Sequence, residues 1–442
     1  MSRLELYMYL RIWKLAWPAI LEMIAIMLAG IIVTAMVGKL GAVSLSAVGL
    51  ATLVQFSATM IFAAAGTGAA AIVAREAGAG NCGAVRQITG QSVMLGLVFG
   101  AVLAVAGYYA SPVVFTFTGA DPEVAQLAGH LLASMFICTP AFLIMSIGNA
   151  ILRAMGRTKA AFIISGTANL IYVLVCFMLV FGWGFPALGI YGVAWGVLIF
   201  QLFGGTAVIL VLAYLPDLRL RPGDVFAIHS GIIRRILAIS IPAAIEQLAM
   251  QGGRIAFTFL LAGVGAVQFA AHQIAIQVES LSFMPGFGFS VAVMTLVGQH
   301  LGKGVPHRAE QYVWMTMRLT FWGMTAIGAA FFVFARPLTA VFINDPDVLE
   351  WGTLCVMIAA LEQPTIALTY VFAGALRGAG DTTWPMYVTT LGIWVLRLPL
   401  VYLIITILGF SVTAAWFITA FDFLLRSLIL WRRFLARKWK KL

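Results

Sequence analysis

The stretch ISIPAAIEQLAMQGGR (Ile239–Arg254) places a carboxylate where water is scarce. Glu246 lies inside a run that otherwise suits lipid, and a charged side chain at the centre of a membrane-spanning helix costs about 2.5–3.5 kcal/mol on insertion scales. It stands 11 residues beyond Arg235, about 16 Å along a helix and so near half the hydrocarbon thickness. Such a group can be neutral facing one side of a membrane and charged facing the other. A proton, Na⁺ or a cationic substrate then competes for one carboxylate, and their exchange couples a gradient to a second flux. Gln247 beside it is a further polar candidate for the same cavity. Arg254 is the obvious ion-pair partner, but eight residues leave the two about 80° apart around the helix and two turns distant, so no direct contact is expected.

Four other acids fall within apolar spans. Glu22 follows Pro18 by four residues, as Glu246 follows Pro242, and a proline one turn back is expected to kink each helix near its carboxylate. Glu279 sits in VESLSFMPGFGF, ahead of a Pro-Gly break whose freed backbone groups need partners. Glu362 is placed to pair with Arg397 on the next span, and Asp422 has Arg426 one turn away, a favourable i,i+4 arrangement with a structural purpose.

The elements that hold these groups are helices in a bilayer. The 442 residues are 62% hydrophobic and 10% charged, against the roughly 25% charged residues of soluble domains. Lipid admits only helices or closed barrels, and the apolar runs are continuous rather than alternating. The fold class is therefore all-α, a polytopic membrane protein. Its spans fall near 14–37, 42–72, 90–111, 127–151, 160–182, 189–214, 235–262, 268–297, 313–335, 350–375, 384–408 and 411–431. The first apolar run is long enough to stay in the membrane, so no cleavable signal is expected.

The net charge of +11 is an orientation signal. Arginines and lysines crowd alternate loops, from Arg3, Arg11 and Lys14 through Arg153, Arg157 and Lys159 to the tail RRFLARKWKKL, while the intervening loops carry little beyond Lys39 and Arg336. The positive-inside rule then puts both termini in the cytoplasm, with the chain in a cell membrane. That distribution gives a nucleic-acid partner no support. Cys82, Cys138, Cys176 and Cys355 show no metal spacing and read as small hydrophobes, and the five histidines lack ligand spacing as well. There is no HExxH, GxSxG, P-loop or dinucleotide fingerprint, which leaves no soluble catalytic set, no cofactor and no ATP-driven export.

A single offset organises the chain. Adding 224 carries Pro18, Ala19 and Glu22 to Pro242, Ala243 and Glu246, and Gly41-Ala42-Val43 to Gly265-Ala266-Val267. It also carries Asp121-Pro122 to Asp345-Pro346, and Leu152-Arg153, Gly156 and Thr158 to Leu376-Arg377, Gly380 and Thr382. Each half has six spans, so the repeats are parallel and the expected site lies between them. The lobes are residues 1–214 and 232–442, joined by a polar, basic linker over 215–231. Two bundles around a shared cavity describe a monomeric transporter working by alternating access.

The stretches AAHQIAIQVESLSFMPGFGFSVAVMTLVGQHLGKG (Ala270–Gly304) and FAGALRGAGDTTWPM (Phe372–Met386) resemble the eighth span and the tenth-to-eleventh connection of multidrug and toxic compound extrusion (MATE) transporters. ISIPAAIEQ resembles that family's seventh span. The resemblance covers essentially the whole chain. It implies export of lipophilic, cationic or amphiphilic drugs in exchange for H⁺ or Na⁺, with Glu246 as the principal coupling carboxylate and any Na⁺ near it. It also makes Glu279 and Gln273 cavity partners. A flippase for lipid-linked saccharides, of the same broader superfamily, is the alternative. The chain departs from the family at Thr34 and Cys176, where many members carry aspartate, and in the tenth span, where Glu362 lies about a turn before the usual acid. These departures shift weight to the second lobe, unless Glu22 substitutes.

Overall fold

The computed structural model describes residues 3–441, apart from 118, 120 and 185. The described residues form twelve long helices and no strand. They are α1 (Arg3–Gly38), α2 (Ala42–Gly78), α3 (Cys82–Val114), α4 (Pro122–Phe136 and Thr139–Ala154, meeting at 57°), α5 (Thr158–Phe181) and α6 (Tyr191–Tyr214). The second set is α7 (Ser230–Ala262), α8 (Ala266–Gly302), α9 (Pro306–Val333), α10 (Pro346–Gly378), α11 (Thr383–Ile407) and α12 (Val412–Leu435). Ten of them are long and apolar enough to cross a membrane singly, and broken α4 is an eleventh. Helix α7 has the length, at 33 residues. It falls short in hydropathy because Glu246, Gln247, Gln251 and Arg254 interrupt its apolar run.

Helix ends show why the repeat is physical. Gly41, Gly80 and Gly156 have positive φ (106°, 75° and 82°), and their counterparts Gly265, Gly304 and Gly380 have 111°, 71° and 91°. Only glycine adopts these angles cheaply, so the same turns recur at the same offset. Asp121 and Asp345 likewise cap their helices, each accepting from the backbone N–H two residues on at 3.0 Å, with proline at the first helical position.

The chain forms two compact units, Leu21–Ala244 and Met1–Ile20 with Ile245–Leu442. The boundaries are 224 residues apart and lie two residues after Pro18 and Pro242. The division thus runs through the middle of α1 and α7 instead of through the 215–231 linker. Each unit takes half of each of these helices. In the second unit Met8, Ile12 and Ala16 of α1 bury against Phe289, Ala292 and Leu296 of α8. In the first, Ser240 of α7 donates to the Ala65 carbonyl of α2 at 3.2 Å. Each helix runs unbroken through its proline. The basic tail folds back as well: Trp439 is fully buried and stacks on Phe434 of α12, and Lys440 and Arg437 pair with Glu310 of α9.

Gly68 of α2 marks the tightest of these fits, since a Cβ there would meet Ser240 Oγ at 2.1 Å and the Ile236 carbonyl at 2.7 Å. The neighbour is backbone and cannot yield. Gly68→Val is expected to cost about 1–3 kcal/mol or more as overpacking, read as a lower melting temperature in detergent beside an unchanged Gly49→Ala control, whose Cβ meets nothing within 4 Å.

Candidate functional site

Glu22 and Glu246, only 2% and 4% exposed, are both held by arginine. In the Leu21–Ala244 unit, Arg153 in the last turn of α4 donates to both carboxylate oxygens of Glu22 at 3.0 Å, and Ser165 of α5 donates to one at 2.7 Å. Asn149 orients that serine through a 2.8 Å bond. In the other unit, Arg377 in the last turn of α10 donates to Glu246 at 2.7 Å, and Thr389 of α11 donates at 2.9 Å. Arginine, hydroxyl and glutamate recur at the 224 offset, so the duplicated feature is a three-part clamp and not a solitary acid. Arg254 is exposed and forms no ion pair among the described residues, as its angular position on α7 implied.

Glu246 stands at the midpoint of the 33-residue α7. The carboxylate sits within one arginine side chain of the end of α10. The acid at the midpoint of that 33-residue helix is Glu362, 15 residues or about 22 Å before Arg377.

Helix α10 reaches α8 through small residues. A Cβ on Gly374 would lie 2.7 Å from the Ser290 carbonyl, and one on Gly378 would lie 2.4 Å from the Met294 carbonyl. Both pairs are 84 residues apart, and nearly the same step, 83, carries Glu279 to Glu362. The two helices therefore run parallel in close register and bring two carboxyl groups to hydrogen-bonding range. Glu362 is fully buried and Glu279 is 7% exposed. Both oxygens of Glu362 and Oε1 of Glu279 lack a hydrogen-bond donor.

Arg397 does not supply that donor. It was expected to pair with Glu362, yet its Nε donates to Asp422 at 2.8 Å. Asp422 also takes Arg426, the i,i+4 partner legible in the sequence, with Nε donating at 2.7 Å. Both guanidinium groups lie over the Phe423 ring, at 5.1 and 5.5 Å. The ion pair occupies the space that a side chain on Gly392 would fill, since a Cβ there would meet Arg426 Nε at 2.4 Å and Asp422 Oδ1 at 2.6 Å. Wide π-type turns over Gly392–Arg397 bring Arg397 into line. The buried cluster thus holds three carboxyl groups and two guanidinium groups, one negative charge in excess. Two carboxylates about 4 Å apart repel by about 4 kcal/mol at an effective dielectric of 20. A single proton shared by Glu279 and Glu362 would remove that repulsion, supply the missing donor and balance the charge.

Of the remaining candidates, Gln273 is exposed on another face of α8 from Glu279, and Gln247 is half-buried on α7. The cysteines are free, with Cys176 and Cys355 buried. Sequence reasoning missed Arg153, Arg377, Ser165 and Thr389. The signal was present, because the arginines share the offset of the glutamates they hold.

Together these features define a polytopic helical membrane protein made of two parallel repeats, with paired and unpaired acids buried among its helices. The profile of the MatE family matches residues 18–178 and 242–403, and the chain belongs to that family. It is 32% identical to the Thermotoga maritima protein called "Probable multidrug resistance protein NorM", over 97% of this chain and 92% of that one. A protein of the same name from Rhizobium meliloti is 28% identical, covering 86% of this chain and 83% of its own. Among solved structures, a variant of the Vibrio cholerae MATE transporter VcmN superposes with a TM-score of 0.90 over 99% of each chain at 18% identity.

Breaking a buried ion pair leaves the surviving charge uncompensated, at about 3–5 kcal/mol. Arg377→Ala and Glu246→Gln are each expected to lower the melting temperature, and the double variant is expected to lose clearly less than the sum. Glu22 and Arg153 are expected to behave alike, and additive losses in either cycle would refute the clamp.

Proposed function

We propose that this chain is a secondary-active multidrug efflux transporter that exports lipophilic cations in exchange for an entering cation, held at Glu279 and Glu362. The observation that carries this reading is the pair of buried carboxyl groups without a donor, inside a cluster with one negative charge in excess. The names of the relatives support drug export, and the family supports transport. The coupling role expected of Glu246 passes in this reading to the α8–α10 pair, because Glu246 already has Arg377 and Thr389. An acid can couple two fluxes only if it exchanges its partner during each cycle, and a covalently tethered guanidinium at 2.7 Å competes with every incoming cation.

The pair suits H⁺ better than Na⁺. A proton satisfies both carboxyl groups with one short bond, whereas Na⁺ would need more oxygen ligands and would sit beside the Arg397 guanidinium. The charged loops support cytoplasmic termini in a cell membrane, so the driving proton would enter from the opposite face.

The test is ethidium efflux from proteoliposomes under an imposed pH or Na⁺ gradient. Glu279→Gln and Glu362→Gln are expected to reduce pH-driven efflux at least tenfold while leaving the melting temperature within a few degrees of wild type, since a neutral amide removes repulsion as the proton does. Undiminished pH-driven efflux in both variants would falsify the assignment.

A further inference from the structure

His272 is a polar side chain that packing alone does not explain. His272 of α8 is 1% exposed, and neither ring nitrogen has a hydrogen-bond partner. It stands among rings, with centroids 5.5 Å from Phe257 of α7, 6.4 Å from Phe269 of α8 and 5.7 Å from Trp416 of α12. The indole N–H of Trp416, beside it, is unpartnered too. Buried polar atoms are almost always bonded, and each one left bare carries a desolvation penalty. A phenylalanine would fill this ring of aromatics without it.

His272 and Glu279 are seven residues apart, on one face of α8 and about 10.5 Å along its axis. Between them on that face stands the small, buried Ala275. Of the charged groups on the helices around His272, Asp347 and Glu350 lie before it at the start of α10, whereas Arg254 on α7, Glu279 on α8, Glu362 on α10, and Asp422 and Arg426 on α12 lie further along. On the other side of the carboxyl pair, Tyr370 of α10 packs against Gly286 and Phe283 of α8. It stands within electrostatic range of Glu279, Glu246 and Arg377. Polar groups therefore succeed one another through the interior of the Ile245–Leu442 unit: His272, Glu279 with Glu362, Tyr370, and the Glu246–Arg377 clamp.

Resting on the coupling role of Glu279 and Glu362, we infer that this file is the proton route, with His272 the relay before the carboxyl pair and Tyr370 the relay after it. A proton from the outer solution bonds to one imidazole nitrogen, and the N–H on the other nitrogen breaks. That proton passes through intervening water to an oxygen of Glu279, where an O–H bond forms. The ring ends neutral, and the carboxyl pair has gained one proton. On discharge, the Tyr370 hydroxyl takes that proton on its oxygen as it releases its own toward the clamp and the inner solution. Neither step needs an oxidant, a reductant or a second substrate.

The test uses the full chain in proteoliposomes with ethidium as substrate and lumenal pyranine as the proton reporter. His272→Phe and Tyr370→Phe preserve the ring and remove the relaying atoms. Each is expected to slow pH-driven ethidium efflux and the matching proton flux at least tenfold, while ethidium–ethidium exchange without a gradient stays within twofold of wild type. A loss of exchange would mark misfolding, and Ala275→Leu, which keeps the imidazole and blocks the space before Glu279, then decides by the same selective loss. Undiminished pH-driven efflux in His272→Phe, or in Ala275→Leu where it decides, overturns the relay. Wild type that responds to a Na⁺ gradient and not to a pH gradient overturns the proton assignment of the carboxyl pair itself, and the relay with it.

Discussion

The bond from Arg377 to Glu246 ties the end of α10 to the middle of α7, and Thr389 adds α11 to the same carboxylate. Three helices meet at one charge. Its twin ties α4, α1 and α5 through Glu22. In water each bond would be a weak surface pair, worth about 0–1 kcal/mol. Away from water the cost of losing one partner is what fixes the geometry, because the buried carboxylate left alone has no solvent to turn to. Glu246, one of the polar residues that make α7 too hydrophilic to pass as a simple span, thus helps hold its unit together.

The same electrostatic requirement is met differently a few turns along α10. Asp422 has two guanidinium groups, whereas Glu279 and Glu362 have each other. Within one unit a carboxyl group is therefore either locked by an arginine of the chain or set against another carboxyl group. Small residues decide where each arrangement is reached. Gly374 and Gly378 let α10 approach α8 closely enough to face acid against acid, and Gly392 leaves the room in which Asp422 and Arg426 join. Three glycines thus set the approaches that the acids exploit.

Much of this was legible in the residues alone. Continuous apolar runs and the 224 offset indicate twelve helices in two repeats, and the i,i+4 spacing of Asp422 and Arg426 gives their bond. Other pairings were hidden because they join distant helices. Arg377 reads as a loop charge until α10 is seen to end beside α7. Arg397 lies on the span next to Glu362 in sequence, but the wide turns after Gly392 carry it to Asp422. The division of α1 and α7 between units has no signature in composition; the prolines two residues before each boundary are its only local mark.

That division constrains how the chain comes together as it is made. The first twenty residues bury Met8, Ile12 and Ala16 against α8 and α9, which leave the ribosome roughly 270 residues later. Until then the leading half of α1 has no permanent partner and must wait in lipid or at its surface, where its exposed Leu4, Leu6, Tyr7 and Leu10 suit an interfacial resting place. The Leu21–Ala244 unit in turn stays unfinished until the leading half of α7 arrives. Neither unit is a product of its own half of the chain alone: the Leu21–Ala244 unit is complete only once the leading half of α7 is made, and the other closes only with the residues that follow it.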